Sequence, residues 1–320
     1  MKRLSQALLL LCCAAAVSAR AATYPDRPVR VVVPFPAGGA ADIVARHVAQ
    51  KLSEALPAQF IVDNRGGAGG AIGTEFVTRA PADGYTLLMA SSSSMSINPH
   101  LTLKQTYNPF TDFTPIILLG YAPNVLVSAP SLPVKNLQQL IALVKSKPQS
   151  LSFASNGAGT VSHLTGEWFS QRLGVKVLHV PYKGAAPAVI DTIAGQTSYL
   201  FAVFPSVSVH VKDGKLRALA VTSAKRMASE PAIPAMSETL PGFESIQWWA
   251  LYGPPGLPQP IVAKLNGELN KILRTADIKQ KFAADGAEPS WGTPAELAAY
   301  LKTDSERWAG VIKAAGIKPE

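Results

Sequence analysis

Three times in this sequence, an apolar run is followed by a glycine-rich loop and then by a helical pattern. The first unit is VVVPFPAGGAADIVARHVAQ at residues 31–50. Its β-branched run predicts a strand that stops at Pro34, and Ile43, Val44 and Val48 recur at helical spacing. Successive strand–loop–helix units are typical of α/β folds. We therefore predict an α/β protein.

The first loop has the form of an anion-binding turn. Backbone N–H groups at a helix start have no intrahelical partner, and Gly38 and Gly39 allow a ligand to approach closely. An anion could thus be held without a cationic side chain. A simpler interpretation stays open, in which the glycines only form the turn, while Asp42 complements the helix dipole and pairs with Arg46.

A second loop of this kind occurs in ASNGAGTVSHL at residues 154–164. Asn156, Thr160 and Ser162 offer side-chain hydrogen bonds at the start of the helix that follows, so two helix N-termini could meet across a cleft. Alternatively, Thr160 or Ser162 only caps the helix, and His163 is a surface residue or one whose hydrogen bonds are already satisfied. The glycine run at residues 66–73 lacks the G-x-G-x-x-G pattern, since Ile72 takes the last glycine position, which argues against a dinucleotide site.

The N-terminus predicts export. Lys2 and Arg3 precede an apolar core at residues 7–17 and an Ala-Arg-Ala cleavage pattern, so we predict a signal peptide at residues 1–21 and a periplasmic protein. Cys12 and Cys13 lie within that signal, and Leu11 disfavours a lipid anchor. No later run reaches the ~20 apolar residues of a transmembrane helix.

Composition and net charge limit the architecture of the protein and the classes of molecule that it can bind. The sequence is 48% hydrophobic, and chains longer than roughly 250 residues tend to divide their core, so we expect two lobes. The formal net charge of +9 falls to +6 when Lys2, Arg3 and Arg20 leave with the signal, and the remaining cations are scattered. This pattern suits attraction of small anions and argues against nucleic acid.

No pattern of catalytic or metal-binding residues is present. Ser162 and His163 are neighbours whose side chains would diverge on a helix, and no serine lies in a G-x-S-x-G turn. The histidines show no metal-ligand spacing; they are His47, His100, His163, His179 and His210. We predict a protein that is not an enzyme and that has no metal and no cofactor.

Several segments together resemble one family. FPAGGAADIVAR, DNRGGAGGAIGTEFVTRAPADGYTLL, FASNGAGTVSHLTGEWF and VPYKGAAPAVIDTIAGQ look like the extracellular receptors of tripartite tricarboxylate transporters, the Bug proteins. The resemblance covers essentially the whole mature chain. It implies a type II periplasmic-binding-protein fold, with two α/β lobes and a ligand cleft between them. We expect lobe 1 at residues 22–124 and 222–320, and lobe 2 at residues 125–221.

The resemblance also implies a binding site for a small organic carboxylate, held mainly by backbone amides and bridging water. Matched segment by segment, the contacts fall on Phe35, Pro36, Ala37, Gly38 and Gly39, on Asn156, Gly157, Gly159, Thr160 and Ser162, and on Tyr182, Gly184, Ala185, Pro187 and Asp191. We add Ser91 and Ser92 from the serine cluster, as polar contacts, and Phe204, as an apolar contact.

The ligand's carbon skeleton stays open between aliphatic and aromatic, and between one and two carboxylates. The expected partners are this carboxylate and membrane transporter subunits, and we expect a monomer. Two other functions remain alternatives: a binding protein that serves a membrane sensor, and an exported hydrolase or lyase.

Overall fold

A computed structural model describes residues 24–103 and 106–317, so the predicted signal peptide lies outside the described residues. The strands are β1 Val29–Val33, β2 Phe60–Asn64, β3 Thr86–Ser91, β4 Thr114–Ser128, β5 Ser152–Ser155, β6 Leu178–Pro181, β7 Tyr199–Val203, β8 Arg217–Val221, β9 Ile246–Gly253 and β10 Glu288–Pro289. The α-helices are α1 Ala40–Ala55, α2 Ala71–Thr78, α3 Asn98–Leu101, α4 Leu137–Ser146, α5 Val161–Leu173, α6 Ala185–Ile193, α7 Ser208–Lys212, α8 Gln259–Ile272, α9 Ala276–Ala284 and α10 Pro294–Ala314. Short 3-10 turns span Ala68–Gly70, Pro148–Ser150, Phe204–Ser206 and Met236–Glu238, and a π-helical turn spans Ser93–Ile97.

The long strand β4 belongs to both lobes. Its first part, up to Pro123, pairs with β9 in a sheet of order β2-β1-β3-β9-β4, with β10 beside β4. From Asn124 onward, β4 pairs with β7 and β8, and the second sheet continues through β5 to β6. β1 is parallel to β2 and β3, and β5 is parallel to β6 and β7. The chain therefore leaves the first lobe along one continuous strand.

Helices cover both faces of the first-lobe sheet. Val31 and Val33 pack against α1, α8 and α9, whereas Val32 and Leu88 pack against α2 and α10. Because both faces are buried, the strands can be apolar throughout, which explains the unbroken valine run of β1. The loops at the carboxyl ends of β1 and β3 lie outside this packing and can form a ligand site.

The second lobe is built in the same way. Phe153 packs with α4 and α5 on one face of the sheet, and Ala154 packs with α6 on the other. Met227 and Phe243, which follow β8, also lie in these second-lobe clusters. The predicted domain boundaries stay a prediction, and this packing favours a return to the first lobe near residue 245 rather than at 222.

The predicted fold class is confirmed: the protein has two α/β lobes of the type II periplasmic-binding kind. Capping residues in the sequence also indicate where helices begin: Asn136 caps α4, and Thr293 forms a capping box at the start of α10. Within the described ranges, none of the helices combines the length and apolarity that crossing a bilayer would require.

Candidate functional site

One cavity lies where strands of both lobes reach their carboxyl ends, the usual ligand position in α/β sheets. It has an empty volume of about 630 Å³. Its lining residues are Phe35, Pro36, Ala37, Gly39, Ala40, Ala41, Ser91, Ser93, Asn156, Thr160, Val161, Ser162, Lys183, Gly184, Ala185, Ala186, Pro187, Val203, Gln247 and Trp249. The loops after β1, β5 and β6 and the ends of β3 and β7 thus meet at one place.

The loop after β1 is held from beneath by Asp42. The Gly38 N–H donates to Asp42 Oδ2 at 2.9 Å, and Asn64 Nδ2 donates both to Asp42 Oδ1, at 3.0 Å, and to the Phe35 carbonyl, at 3.1 Å. Arg46 pairs with the same carboxylate at 2.9 Å. Burial raises the pKa of Asp42, but the hydrogen bonds from Arg46, Gly38 and Asn64 outweigh it, and the pKa is lowered. Asp42 is therefore an ionised support for the loop.

The cap residue of α1 leaves the first amides of the helix without a side-chain partner. Gly39 is the N-cap and has no side chain to bond the first amides, and the first intrahelical bond runs from Ile43 N–H to Gly39 O. Ala40 and Ala41, the first helical residues, line the cavity. Their N–H groups belong to the set that a helix start leaves without intrahelical partners, so they can bind an anion.

The loop after β5 is fixed by its own side chains. Thr160 caps α5, because its Oγ1 accepts from the His163 N–H at 3.3 Å and donates to the Gly157 carbonyl at 2.7 Å. Ser162 Oγ donates to the Phe201 carbonyl and accepts from the Asn156 N–H. The capping interpretation is therefore correct for Thr160, whereas the Ser162 hydroxyl joins the loop to β7, and both residues line the cavity.

A third helix start, in the segment whose Gly184, Ala185 and Pro187 are predicted contacts, also reaches the cavity. Gly184 is the N-cap of α6, with φ of 117° and no side-chain cap. Ala185, Ala186 and Pro187 follow it along the lining. Three helices therefore begin at the same cavity, and the positive ends of their dipoles favour an anion there.

Two polar atoms at the cavity have no hydrogen-bond partner among the described residues: Ser91 Oγ and Asn156 Oδ1. Ser91 is only 1% exposed and ends β3. Buried polar groups in native proteins are usually hydrogen-bonded, so an unpaired hydroxyl in a cavity wall indicates a group that a ligand or water completes.

The two lobes touch around the cavity. The Val161 N–H of α5 donates to Ser93 Oγ of the first lobe at 3.2 Å. A Cβ on Gly184 would lie 3.2 Å from Pro36 Cγ, and one on Gly69 would lie 2.8 Å from the Ala158 carbonyl oxygen. These approaches show a closed cleft, in which glycines permit the contact between lobes.

The structure brings eleven of the predicted site residues to this cavity: Phe35, Pro36, Ala37, Gly39, Ser91, Asn156, Thr160, Ser162, Gly184, Ala185 and Pro187. Their contact with a ligand stays a prediction. Seven others do not line it: Gly38, Ser92, Gly157, Gly159, Tyr182, Asp191 and Phe204.

Those seven residues have identifiable structural roles. Gly38, Gly157 and Gly159 have positive φ angles and shape the two loops. Ser92 Oγ accepts from the Trp248 N–H, and the Tyr182 hydroxyl donates to Asp191 at 2.8 Å. Phe204 is 1% exposed in the second-lobe core, and its ring fills the space that a side chain on Gly286 would need. Phe204 therefore lies in the core and not in the cavity wall, and its expected apolar contact with a ligand has no support from this position.

Nine lining residues are not among those named individually from the sequence, although Ser93 and Val161 fall within the serine cluster and the second loop: Ala40, Ala41, Ser93, Val161, Lys183, Ala186, Val203, Gln247 and Trp249. Most of them are direct neighbours of predicted residues, so extending each loop into its helix would have found them. Gln247 and Trp249 differ, because they come from β9, which no glycine-rich loop precedes.

Beneath the second loop, three titratable groups lie together: His163, Glu167 and His179 offer ligand atoms within 4.8 Å of one another. The two imidazole rings are stacked at 4.1 Å, so their in-plane lone pairs do not converge on one ion. His163 Nδ1 accepts from the Gly159 N–H at 3.3 Å, and His179 Nε2 lies 2.7 Å from Ser155 Oγ. This cluster supports the loop rather than chelating a metal.

Burial lowers the pKa of His163 to about 4. Burial and the neighbouring His163 lower the pKa of His179 to about 3. Both rings are therefore neutral near pH 7, which keeps His163 Nδ1 available as an acceptor.

Known proteins resemble this chain in sequence and in overall fold. The sequence matches the family described as tripartite tricarboxylate transporter family receptor, TctC, over residues 44–317. Protein BugT of Bordetella pertussis is 39% identical, over 92% of this chain and 91% of BugT. The structure of R. palustris Rpa4515 with adipate has a TM-score of 0.91 at 35% identity, over 93% of this chain and 100% of that one. MatC (Rpa3494) from Rhodopseudomonas palustris with bound malate has a TM-score of 0.86 at 31% identity, over 90% of this chain and 100% of that one.

These matches extend along nearly the whole described chain. They confirm the resemblance drawn from the sequence motifs, and they confirm that the protein is a solute-binding receptor and not an enzyme. The chain belongs to the tripartite tricarboxylate transporter receptor family.

Proposed function

We propose that this receptor binds a small organic carboxylate in the cavity between its lobes. The observation that supports this most is the convergence of three helix starts, α1, α5 and α6, on one cavity. Helix N-termini favour anions, and the unpaired Ser91 hydroxyl can donate one further hydrogen bond to a carboxylate oxygen. The relatives Rpa4515 and MatC were solved with adipate and malate, which are both carboxylates.

The hydrogen bonds that the cavity offers are sufficient, in free energy, for micromolar binding. Charge-assisted hydrogen bonds contribute roughly 1.5–3 kcal/mol each, and micromolar affinity requires about 8 kcal/mol. Four or five amide and hydroxyl donors would meet that requirement before the cost of ordering is subtracted. Phe35 and Trp249 also line the cavity, so apolar contact with the carbon skeleton adds to the sum.

We propose further that the protein acts in the periplasm and delivers its ligand to membrane subunits of a tripartite tricarboxylate transporter. Support comes from the family match and from the signal-like N-terminal sequence. Delivery requires release of the ligand, and an interaction that favours the open form would promote that release.

The binding proposal is tested by thermal unfolding of the purified mature protein with a panel of acids. The panel contains adipate, malate, terephthalate, hexanoate and benzoate, with inorganic phosphate and the uncharged adipamide as controls. We expect at least one carboxylate to raise the melting temperature and to be recovered unchanged, while phosphate and adipamide have no effect. Stabilisation by adipamide equal to that by adipate would contradict the anion site.

The delivery proposal needs membrane subunits. Uptake of labelled acid into vesicles that contain the cognate transporter should depend on added receptor. Uptake that is equally fast without the receptor would contradict delivery and leave the binding proposal intact.

A further inference from the structure

The glycine loop at residues 66–70, which follows β2, packs against the first ligand loop. None of its residues lines the cavity. A Cβ on Gly66 would lie 3.0 Å from Pro36 Cδ, and one on Gly70 would lie 2.9 Å from Phe35 Cζ. Phe35 and Pro36 both line the cavity. The glycine loop therefore supports the part of the cavity wall that these two residues form.

Asn98 holds the glycine loop in place. It is the first residue of α3 and is 5% exposed. Its Nδ2 donates to the Gly69 carbonyl at 2.9 Å and to the Ala68 carbonyl at 3.3 Å. Ala68 has a positive φ of 47°, which is unfavourable for a residue with a side chain. The two hydrogen bonds from Asn98 thus stabilise a loop conformation that Ala68 by itself disfavours.

The glycine loop and Asn98 also contact the second lobe. A Cβ on Gly69 would lie 2.8 Å from the Ala158 carbonyl oxygen, and one on Gly159 would overlap Asn98 Oδ1. Ala158 and Gly159 belong to the loop after β5, which lines the cavity from the second lobe. These contacts join residues of different lobes, so opening of the cleft would separate them.

We infer that Asn98 and the glycine loop form a clasp that positions the ligand loops of both lobes in the closed cleft. The clasp supports the loop after β1 and contacts the loop after β5. Asn98 is a positioning residue, because it does not line the cavity and acts on ligand affinity through the loops that do. A ligand that contacts both lobes binds more tightly when the closed form is more populated. The inference rests on the proposed binding of a carboxylate in the cavity.

Calorimetric titration at pH 7.5 tests the role of Asn98. Adipate, malate, terephthalate, hexanoate and benzoate are titrated into the wild-type protein, and the acid that binds most tightly is the probe for the variants. In Asn98→Ala we expect its affinity to fall about tenfold, because the clasp loses two hydrogen bonds. Asn98→Asp keeps the shape but turns a carboxylate oxygen toward the Ala68 and Gly69 carbonyls, so its affinity should fall further.

Asn270→Ala is the matched control for Asn98→Ala. Asn270 also donates from Nδ2 to a glycine carbonyl, that of Gly292, at 2.9 Å, and it does not line the cavity. Its loss should lower stability, whereas affinity should change less than about twofold. A side chain that only stabilises the fold would behave in this way, and a positioning residue would not.

Gly69→Ala tests the contact between the lobes. Its Cβ would meet the Ala158 carbonyl oxygen only while the cleft is closed, so we expect affinity to fall about tenfold or more. Gly174→Ala is the matched control, since Gly174 has a φ of 69°, close to the 61° of Gly69, and no described group beyond its chain neighbours lies within 4 Å of the added Cβ. Both variants should lose stability through backbone strain, but Gly174→Ala should keep its affinity.

Three results would overturn the inference and leave the proposed function intact. One is wild-type affinity in folded Asn98→Ala, and another is equal affinity of Gly69→Ala and Gly174→Ala. The third is wild-type affinity in Asn98→Asp, which would show that Asn98 acts through its shape and not through its hydrogen bonds. If none of the five acids binds to folded wild-type protein, the proposed function fails, and the role of Asn98 fails with it. Thermal unfolding of each variant without acid shows whether folding is retained.

Discussion

Ser93 Oγ in the first lobe accepts a hydrogen bond from the Val161 N–H in the second lobe, at 3.2 Å. Both residues line the cavity, and Val161 is the first residue of α5. Its N–H is one of the amides that a helix start leaves without an intrahelical partner. Contact between the lobes and the proposed anion site therefore use the same helix end.

Replacing Ser93 with alanine should weaken ligand binding without unfolding the protein. The Ser93–Val161 bond joins the two lobes, so its loss disfavours the closed, ligand-retaining form. A typical hydrogen bond contributes about 1 kcal/mol, which corresponds to roughly a fivefold loss of affinity in a calorimetric titration. Ser96→Ala is the control, since Ser96 lies in the same π-helical turn and its hydroxyl is buried without a partner. Equal effects of the two variants would contradict the bridging role.

A side chain at Gly39 should affect ligand binding, whereas a side chain at Gly38 should affect folding. Gly39 has a φ of −83°, and a Cβ there would meet only the Pro36 carbonyl oxygen, at 3.6 Å. Gly39→Val should therefore fold, but its branched side chain would enter the cavity beside the start of α1, and we expect affinity to fall by about 100-fold, on the order of 3 kcal/mol.

Gly38 is the matched comparison. It has a φ of 79° and does not line the cavity, so Gly38→Ala should cost about 1 kcal/mol of folding free energy through backbone strain. Chemical denaturation and titration of both variants separate the two effects. A Gly39→Val protein that is folded and binds normally would exclude anion binding by the amides at the start of α1.

Much of the first loop could be predicted because its signals are local. A β-branched run that stops at Pro34, two glycines and an apolar helical spacing specify β1, the turn and α1, and all three are present. The Asp42–Arg46 pair is also present, so the structural interpretation of that stretch is correct as well. The same turn thus has internal support and leads into helix amides that no side chain caps.

Gln247 and Trp249 could not be found in this way. They belong to β9, which inserts between β3 and β4 through antiparallel pairing with strands more than a hundred residues earlier in the chain. No local pattern specifies that register. Phe204 is the opposite case: it follows β7 directly, which suggested a cavity residue, but its ring packs where Gly286 has no side chain.

Trp249 should report binding by fluorescence. It is 1% exposed and lines the cavity, so a ligand that fills the cavity changes the surroundings of its indole. We expect saturating ligand to shift or quench the emission of the wild-type protein, and Trp249→Phe to lose most of that response. Trp291→Phe is the control, because Trp291 is 46% exposed and is not a lining residue. A response that disappears in Trp291→Phe and persists in Trp249→Phe would contradict this placement of the ligand.

The stacked histidines beneath the second loop should make stability depend on pH. Their pKa values are lowered to about 4 for His163 and about 3 for His179, so between those values and 6.5 the unfolded chain binds more protons than the folded one. The contribution of the two histidines to the free energy of unfolding is therefore fully present above pH 6.5. It falls as the pH drops below that value, by up to about 1.4 kcal/mol per pH unit for each histidine. Urea denaturation at pH 7.5, 6.5, 5.5 and 4.5 measures this slope. His179→Phe keeps an aromatic ring that can stack on His163 and Phe153 but cannot be protonated, so its slope should be smaller whatever its stability at pH 7.5. A slope in His179→Phe that equals the wild-type slope would mean that carboxylates elsewhere cause the acid sensitivity.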